Sequence, residues 1–100
     1  MATENAPIEA KDATLDVSVV ILTYNGEQHI DEILSSLTNQ RYEGTYEILV
    51  IDSGSTDSTL DIVAKYPSVR LHQIPNSEFG HGKTRNLGAH LAKGRIVAYL

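Results

Sequence analysis

The sequence predicts an α/β fold in three layers, with helices packed on both faces of a mostly parallel sheet. Two apolar runs, VSVVILT (Val17 to Thr23) and YEILVI (Tyr46 to Ile51), end abruptly in polar, loop-forming residues. Segments with helical spacing of apolar residues lie between such runs, the alternation that marks βα units. Both runs are nearly continuous in aliphatic residues, as expected of strands covered on both faces.

The chain divides into elements in order. Met1 to Asp16 is polar, alanine-rich and carries Pro7 without sustained periodicity, which predicts a disordered or loosely attached tail over residues 1–16. Val17 to Thr23 is the first strand and belongs in the middle of the sheet. A helix follows from about Glu27 to Asn39, because Ile30, Ile33, Leu34 and Leu37 form one apolar stripe and Glu27, Asp31 and Glu32 favour its N-terminal half. The second strand, Tyr46 to Ile51, leads into a helix capped by Thr56 or Asp57 and running to about Lys65, with Leu60, Val63 and Ala64 inward and Pro67 as a stop. Val69 to Ile74 reads as a third strand, Pro75 to Gly82 as a loop, and Lys83 to Lys93 as a helix closed by Gly94 in a left-handed C-cap. Ile96 to Leu100 opens a fourth strand. Right-handed crossovers make the order 3-2-1-4 the natural one. A domain that stops inside an apolar strand predicts that residues 17–100 are the N-terminal portion of a longer, truncated domain.

Composition narrows the function classes. With 100 residues and 41% hydrophobic content the chain can build one small core. Cysteine is absent, which removes disulfides and thiolate metal sites and makes the cytoplasm the default compartment. No stretch approaches the roughly 20 apolar residues of a membrane span. The net charge of −5 hides an asymmetry: residues 79–100 hold four Lys or Arg and no acid, against 13 Asp or Glu elsewhere. An acidic body argues against nucleic acid as a partner, whereas a local basic patch suits a small anion such as a phosphate ester.

Ligands of open parallel sheets bind at the carboxyl ends of the strands, so Thr23, Tyr24, Asn25, Asp52 and Ser53 are expected to face one cleft. Asp52 precedes Ser53, Gly54, Ser55 and Thr56, where its carboxylate could accept a hydrogen bond from a base or ribose, or could equally cap the following turn. The second constellation is FGHGKTRN, Phe79 to Asn86. It joins two glycines to His81, Lys83 and Arg85 at a helix start, a place that favours anions and where Arg85 can pair bidentately with a diphosphate. Gly82, Lys83 and Thr84 also match the end of the triphosphatase phosphate loop, but Ser77 stands where its first glycine belongs and the loop follows the third strand rather than the first. His29, His72, His81 and His90 show no zinc spacing, and of these only His81 is placed to touch ligand.

Three blocks resemble a known family. VSVVILTYNGE (Val17 to Glu27), EILVIDSGSTDST (Glu47 to Thr59) and GHGKTRNLGAHLAKGRIVAYL (Gly80 to Leu100) are similar, in order and separation, to the N-terminal half of family 2 glycosyltransferases of the GT-A fold. The third block looks most like the rhamnosyltransferase-like branch. The resemblance covers about residues 17–100 and implies a Rossmann-like, nucleotide-sugar-binding half. In it Thr23, Tyr24 and Asn25 line the base pocket, Glu27 supports the nucleoside, Asp52 lies beside the base, and Arg85 with Lys83 lies against the nucleotide. Many members carry a second acid after the second strand where this chain has Ser53, so the donor can be a dTDP-sugar or a UDP-sugar. The resemblance implies inverting transfer to a glycan or lipid-linked acceptor hydroxyl, in a protein that could join a membrane assembly. It also implies a divalent cation, Mg²⁺ or Mn²⁺, bound by an Asp-x-Asp motif beyond Leu100. No metal ligand or catalytic base is expected among these 100 residues, which are expected to bind nucleotide without transferring sugar. The rival reading is a non-catalytic nucleotide-binding or interaction module of the same fold.

Overall fold

The structure is a computed structural model that describes residues 11–40 and 44–100. Four strands form one sheet: β1 (Val17–Thr23), β2 (Tyr46–Asp52), β3 (Arg70–Gln73) and β4 (Ile96–Tyr99), in the order β3-β2-β1-β4. All three pairings are parallel. The expected order and hand-in-hand βα alternation are therefore present, with the two most apolar strands at the centre.

Alternation of side chains across the strands divides the core in two. On one face Ile21, Ile48 and Val50 pack with Ile30 and Leu34 of α1 (Ile30–Thr38) and Val63 of α2 (Thr59–Val63). On the other, Val20, Leu49 and Ile51 pack with Ile74 and with Leu87 of α3 (His81–Leu91). Ile33 and Leu37 complete the α1 stripe as partly buried neighbours.

Several boundaries differ from expectation. The first helix begins at Ile30 rather than Glu27, because residues 26–29 form a turn in which Gly26 O accepts from His29 and Ile30 N–H. The second helix is shorter than expected and ends at Val63; Ser58 is its N-cap residue and Ala64 is exposed. The third strand is trimmed to four residues, and the loop after it holds a single 3-10 turn over Asn76–Glu78. The helix α3 starts two residues early, taking His81 and Gly82 into its first turn.

Gly94 is not a left-handed cap; the described glycine with positive φ is Gly54. Its lack of a side chain serves close approach instead. A Cβ at Gly94 would lie 2.6 Å from Val17 C and 2.7 Å from Ser18 N, backbone atoms of β1. Gly88 plays a related part on α3, where a Cβ would meet Val20 Cγ1 at 2.9 Å.

Polar groups pin the N-terminal ends of the strands. Ser18, fully buried, accepts from Gly94 N–H at 2.8 Å and donates its hydroxyl to Glu47 Oε2. Glu47 Oε2 also accepts from Lys93 N–H at 2.7 Å, and Arg70 Nε lies 3.1 Å from Glu47 Oε1. Such a carboxylate survives burial because each oxygen finds a partner. Residues 11–16, expected within the loose tail, are tied here: Asp12 N–H donates to Lys93 O, Asp16 N–H to Thr45 O, and Arg95 pairs with Asp16 at 3.1 Å. Residues 1–10 of that tail lie outside the described residues.

Because Gly94 is crowded by backbone and Gly88 by side-chain ends, alanine at the two positions should differ. Gly94→Ala is expected to cost more than about 2 kcal/mol in urea unfolding, and Gly88→Ala about 1 kcal/mol as Val20 and Ile51 adjust.

Candidate functional site

The site is built on the register of the two central strands. Thr23 stands opposite Asp52 at the carboxyl ends of β1 and β2, so their following loops leave the sheet side by side. Ser53 N–H donates to Thr23 O at 3.0 Å and extends the ladder by one bond.

Asp52 is fully buried, and its carboxylate is occupied by its own loop: Oδ2 accepts from Gly54 N–H at 3.1 Å and Ser55 N–H at 2.9 Å, and Oδ1 from the Ser55 hydroxyl at 2.5 Å. Of the two uses its sequence position allowed, the structure shows the turn-capping one. Asn25 is similarly engaged. It adopts φ +49°, which asparagine tolerates better than most residues, and its Oδ1 accepts from Thr56 N–H at 2.8 Å and Asp57 N–H at 3.3 Å. Its own N–H donates to Ser55 Oγ at 2.7 Å. Glu27 and Asp57 exchange support across the same gap, Glu27 N–H donating to Asp57 Oδ2 at 3.2 Å and Ser58 N–H to Glu27 Oε1 at 2.9 Å. Gly26 N–H reaches Thr59 Oγ1 at 2.9 Å.

Beside this brace opens a cavity of about 410 Å³. The first strand and its exit contribute Leu22, Thr23 and Tyr24, the second contributes Ser53, and the segment after β3 contributes Asn76 and Phe79. Helix α3 adds His81 and Arg85, and Leu100 closes the far side. Thus Thr23, Tyr24, Ser53, His81 and Arg85 come together around one cavity. Asn25, Glu27, Asp52 and Lys83 are not among the lining residues; the first three hold the loops that shape it. Asn76, Phe79, Leu22 and Leu100 are additions. The carboxyl-end rule that selected Thr23 and Ser53 also applies to the third strand and would have selected Asn76, whose Nδ2 donates to Ser53 O at 3.1 Å.

The cavity contains cationic and aromatic groups but no carboxylate. Tyr24 is 51% exposed, leaving its ring open to a ligand. The His81 ring stands edge-on to Phe79 with centroids 5.1 Å apart. No side chain caps α3, whose N-cap is Gly80, and a Cβ on Gly82 would meet nothing within 4 Å. The Arg85 guanidinium lies over the Tyr99 ring, 4.6 Å from its centroid. Burial pushes the Tyr99 phenol up, against the opposing pull of Arg85, so the hydroxyl stays protonated at neutral pH and donates to Arg85 O at 2.6 Å. Thr84 offers no support for a phosphate loop: it is 1% exposed and its hydroxyl accepts from Gly80 N–H.

The cleft at the carboxyl ends of β1 and β2 is thus bounded by an arginine beside the uncapped start of α3. A family profile described as Glycosyl transferase family 2 matches residues 18–100, and the chain belongs to that family. It is 39% identical over 87 residues to the poly(ribitol-phosphate) beta-N-acetylglucosaminyltransferase TarS of Staphylococcus aureus, covering 83% of this chain and 15% of TarS. The crystal structure of S. aureus TarS 1-349 superposes with a TM-score of 0.76 at 39% identity, over 86% of this chain and 27% of that one. The same TarS segment in complex with UDP-GlcNAc gives 0.69. A mannosyltransferase from Pyrobaculum calidifontis, in complex with GDP-Man and Mn²⁺, gives 0.50 at 30% identity over 73% of this chain and 24% of its own. The architecture is that of the GT-A fold seen in these neighbours. The chain spans only a small part of each relative's length. These relatives do not single out the rhamnosyltransferase-like branch.

The loop brace makes a prediction about acid. Desolvation raises the Asp57 pKa, but hydrogen bonds from the Thr59 hydroxyl, Thr59 N–H and Glu27 N–H outweigh it and leave the group below its ordinary 3.8. A depressed carboxylate stabilises the fold above its unfolded pKa and loses that contribution as pH falls through the folded one. The stability difference between the native protein and Asp57→Asn should therefore be constant above about pH 5 and shrink below about pH 3.8, measured by urea unfolding at each pH.

Proposed function

We propose that this chain forms the donor-binding part of an inverting glycosyltransferase that takes a nucleoside-diphosphate sugar, with UDP preferred over dTDP, and transfers the sugar to an acceptor hydroxyl in polysaccharide or glycan synthesis. The observation that carries this reading is that Tyr24 and Arg85 line one acid-free cavity. A base can stack on the Tyr24 ring while Thr23, Ser53 and Asn76 offer hydrogen bonds to its edge or to ribose. The Arg85 guanidinium then meets the diphosphate beside the open start of α3, where partial positive charge accumulates. Family membership supports a nucleotide-sugar donor, and the complex of the neighbour TarS with UDP-GlcNAc favours uridine as its base. The cytoplasmic location and a glycan or lipid-linked acceptor belong to the same proposal.

In the reaction, the acceptor oxygen attacks the anomeric carbon as the bond to the diphosphate breaks, with inversion, and the acceptor proton passes to a general base. Within the cavity, Arg85 can take charge developing on the leaving diphosphate. The cavity residues include no carboxylate, and Asp52 is fully occupied by its turn. Among the described residues no three His, Asp or Glu side chains converge to hold a metal. The described residues by themselves therefore do not make a divalent-cation site. Nor does the cavity supply the base, so the 100 residues in isolation are proposed to bind nucleotide without transferring sugar.

Calorimetry on the intact protein tests the reading. UDP should bind more tightly than dTDP, and Arg85→Ala should weaken UDP binding about tenfold or more, the effect of losing a charge-assisted pair. Release of UDP from UDP-sugars in the presence of polyol-phosphate or glycan acceptors identifies the transferase. Binding without transfer would identify the non-catalytic module, and absence of nucleotide binding would overturn both.

A further inference from the structure

We propose that Tyr99 is a positioning residue that holds the Arg85 guanidinium ready for the diphosphate; this rests on the nucleotide-site reading above. Two contacts join the same pair. The ring lies 4.6 Å beneath the guanidinium, and the hydroxyl donates to Arg85's own carbonyl at 2.6 Å. Tyr99 is thereby fixed relative to both the backbone and the side chain of Arg85.

The ring is itself anchored. Tyr99 pairs with Val20 across the β1–β4 ladder and packs against the cluster of Val20, Leu49, Ile51 and Leu87. Gly88, one helical turn after Arg85, packs beside it: a Cβ there would make ordinary contact with Tyr99 Cε1, at 3.5 Å. Arg85, by contrast, is exposed, and Tyr99 is not among the residues lining the cavity. The tyrosine therefore acts through the arginine.

The physical benefit is preorganisation. An exposed arginine samples many rotamers and must be ordered before it can grip an anion. A ring face beneath the guanidinium narrows that set before ligand arrives and leaves the in-plane N–H groups free for two phosphate oxygens.

The test is a double-mutant cycle on UDP affinity in the intact protein, read by calorimetry. Tyr99→Leu should weaken UDP binding about three- to tenfold, and Tyr99→Phe, which keeps the ring, should restore affinity to within about twofold. In an Arg85→Ala background, Tyr99→Leu should change affinity less than about 1.5-fold. An equal loss with and without Arg85 would overturn the positioning role and leave Tyr99 a packing residue. A second measurement needs no substitution at Tyr99: in ¹⁵N-arginine-labelled native protein, Arg85 Hε and Hδ should be shifted upfield by the ring, and their appearance at unstacked positions would overturn the proposal even if Tyr99→Leu failed to fold. UDP binding with no coupling between the residues defeats this proposal alone. Absence of UDP binding by the native protein defeats the nucleotide site and this proposal together.

Discussion

The in-register parallel pairing of β1 with β2 is the constraint on which both core and cleft depend. It sets Val20 beside Leu49 and Ile21 beside Val50, placing each pair on the face where its helices wait. A slip of one residue would exchange those faces and force both halves of the core to repack. The same slip would move Thr23 away from Asp52, and the exchange of hydrogen bonds between residues 25–27 and 55–59 could not form. Burial of Val20, Val50 and Leu34, each at zero exposure, therefore does more than stabilise the sheet; it sets the level at which two loops meet.

Polar residues at the carboxyl edge divide into those that shape the cleft and those that face it. Acids fall in the first class. Asp52 closes its turn, while Glu27 and Asp57 tie the loops together. The consequence is electrostatic: the carboxylates of these loops spend their charge on backbone N–H groups, and the cavity itself presents Arg85 and no acidic side chain. A negatively charged ligand then meets attraction without a facing carboxylate.

Strand order, the central strands and the apolar stripe of α1 were legible because burial on both faces, or on one helical face, writes a plain pattern of aliphatic residues. Gly94 shows where that legibility stops. A glycine just after a helix carries the same local signature whether it reverses the chain or admits a neighbouring strand, and only packing against Val17 and Ser18 decides between them. The residues Asn25 and Asp52 pose a similar problem, since an oxygen that can accept from a ligand can equally accept from a neighbouring N–H. The start of α3 was misplaced because Gly80 and Gly82 argue for a loop, whereas the helix tolerates Gly82 in its first turn. Asn76 escaped notice because it follows a short edge strand, where no long apolar run announces the end.

Position 25 is subject to two independent demands. Its backbone lies in the left-handed region, which most side chains resist, and its side chain must supply an oxygen to Thr56 and Asp57. Glycine meets the first demand and fails the second; serine and threonine reverse the failure. Aspartate meets both but brings a third carboxylate into a joint that already contains Glu27 and Asp57. The loop junction is thus nearly closed to substitution, while the neighbouring cavity wall, assembled from side chains on five separate segments, is free to diverge one residue at a time. A scaffold of this kind can change what it holds without changing how it is held together.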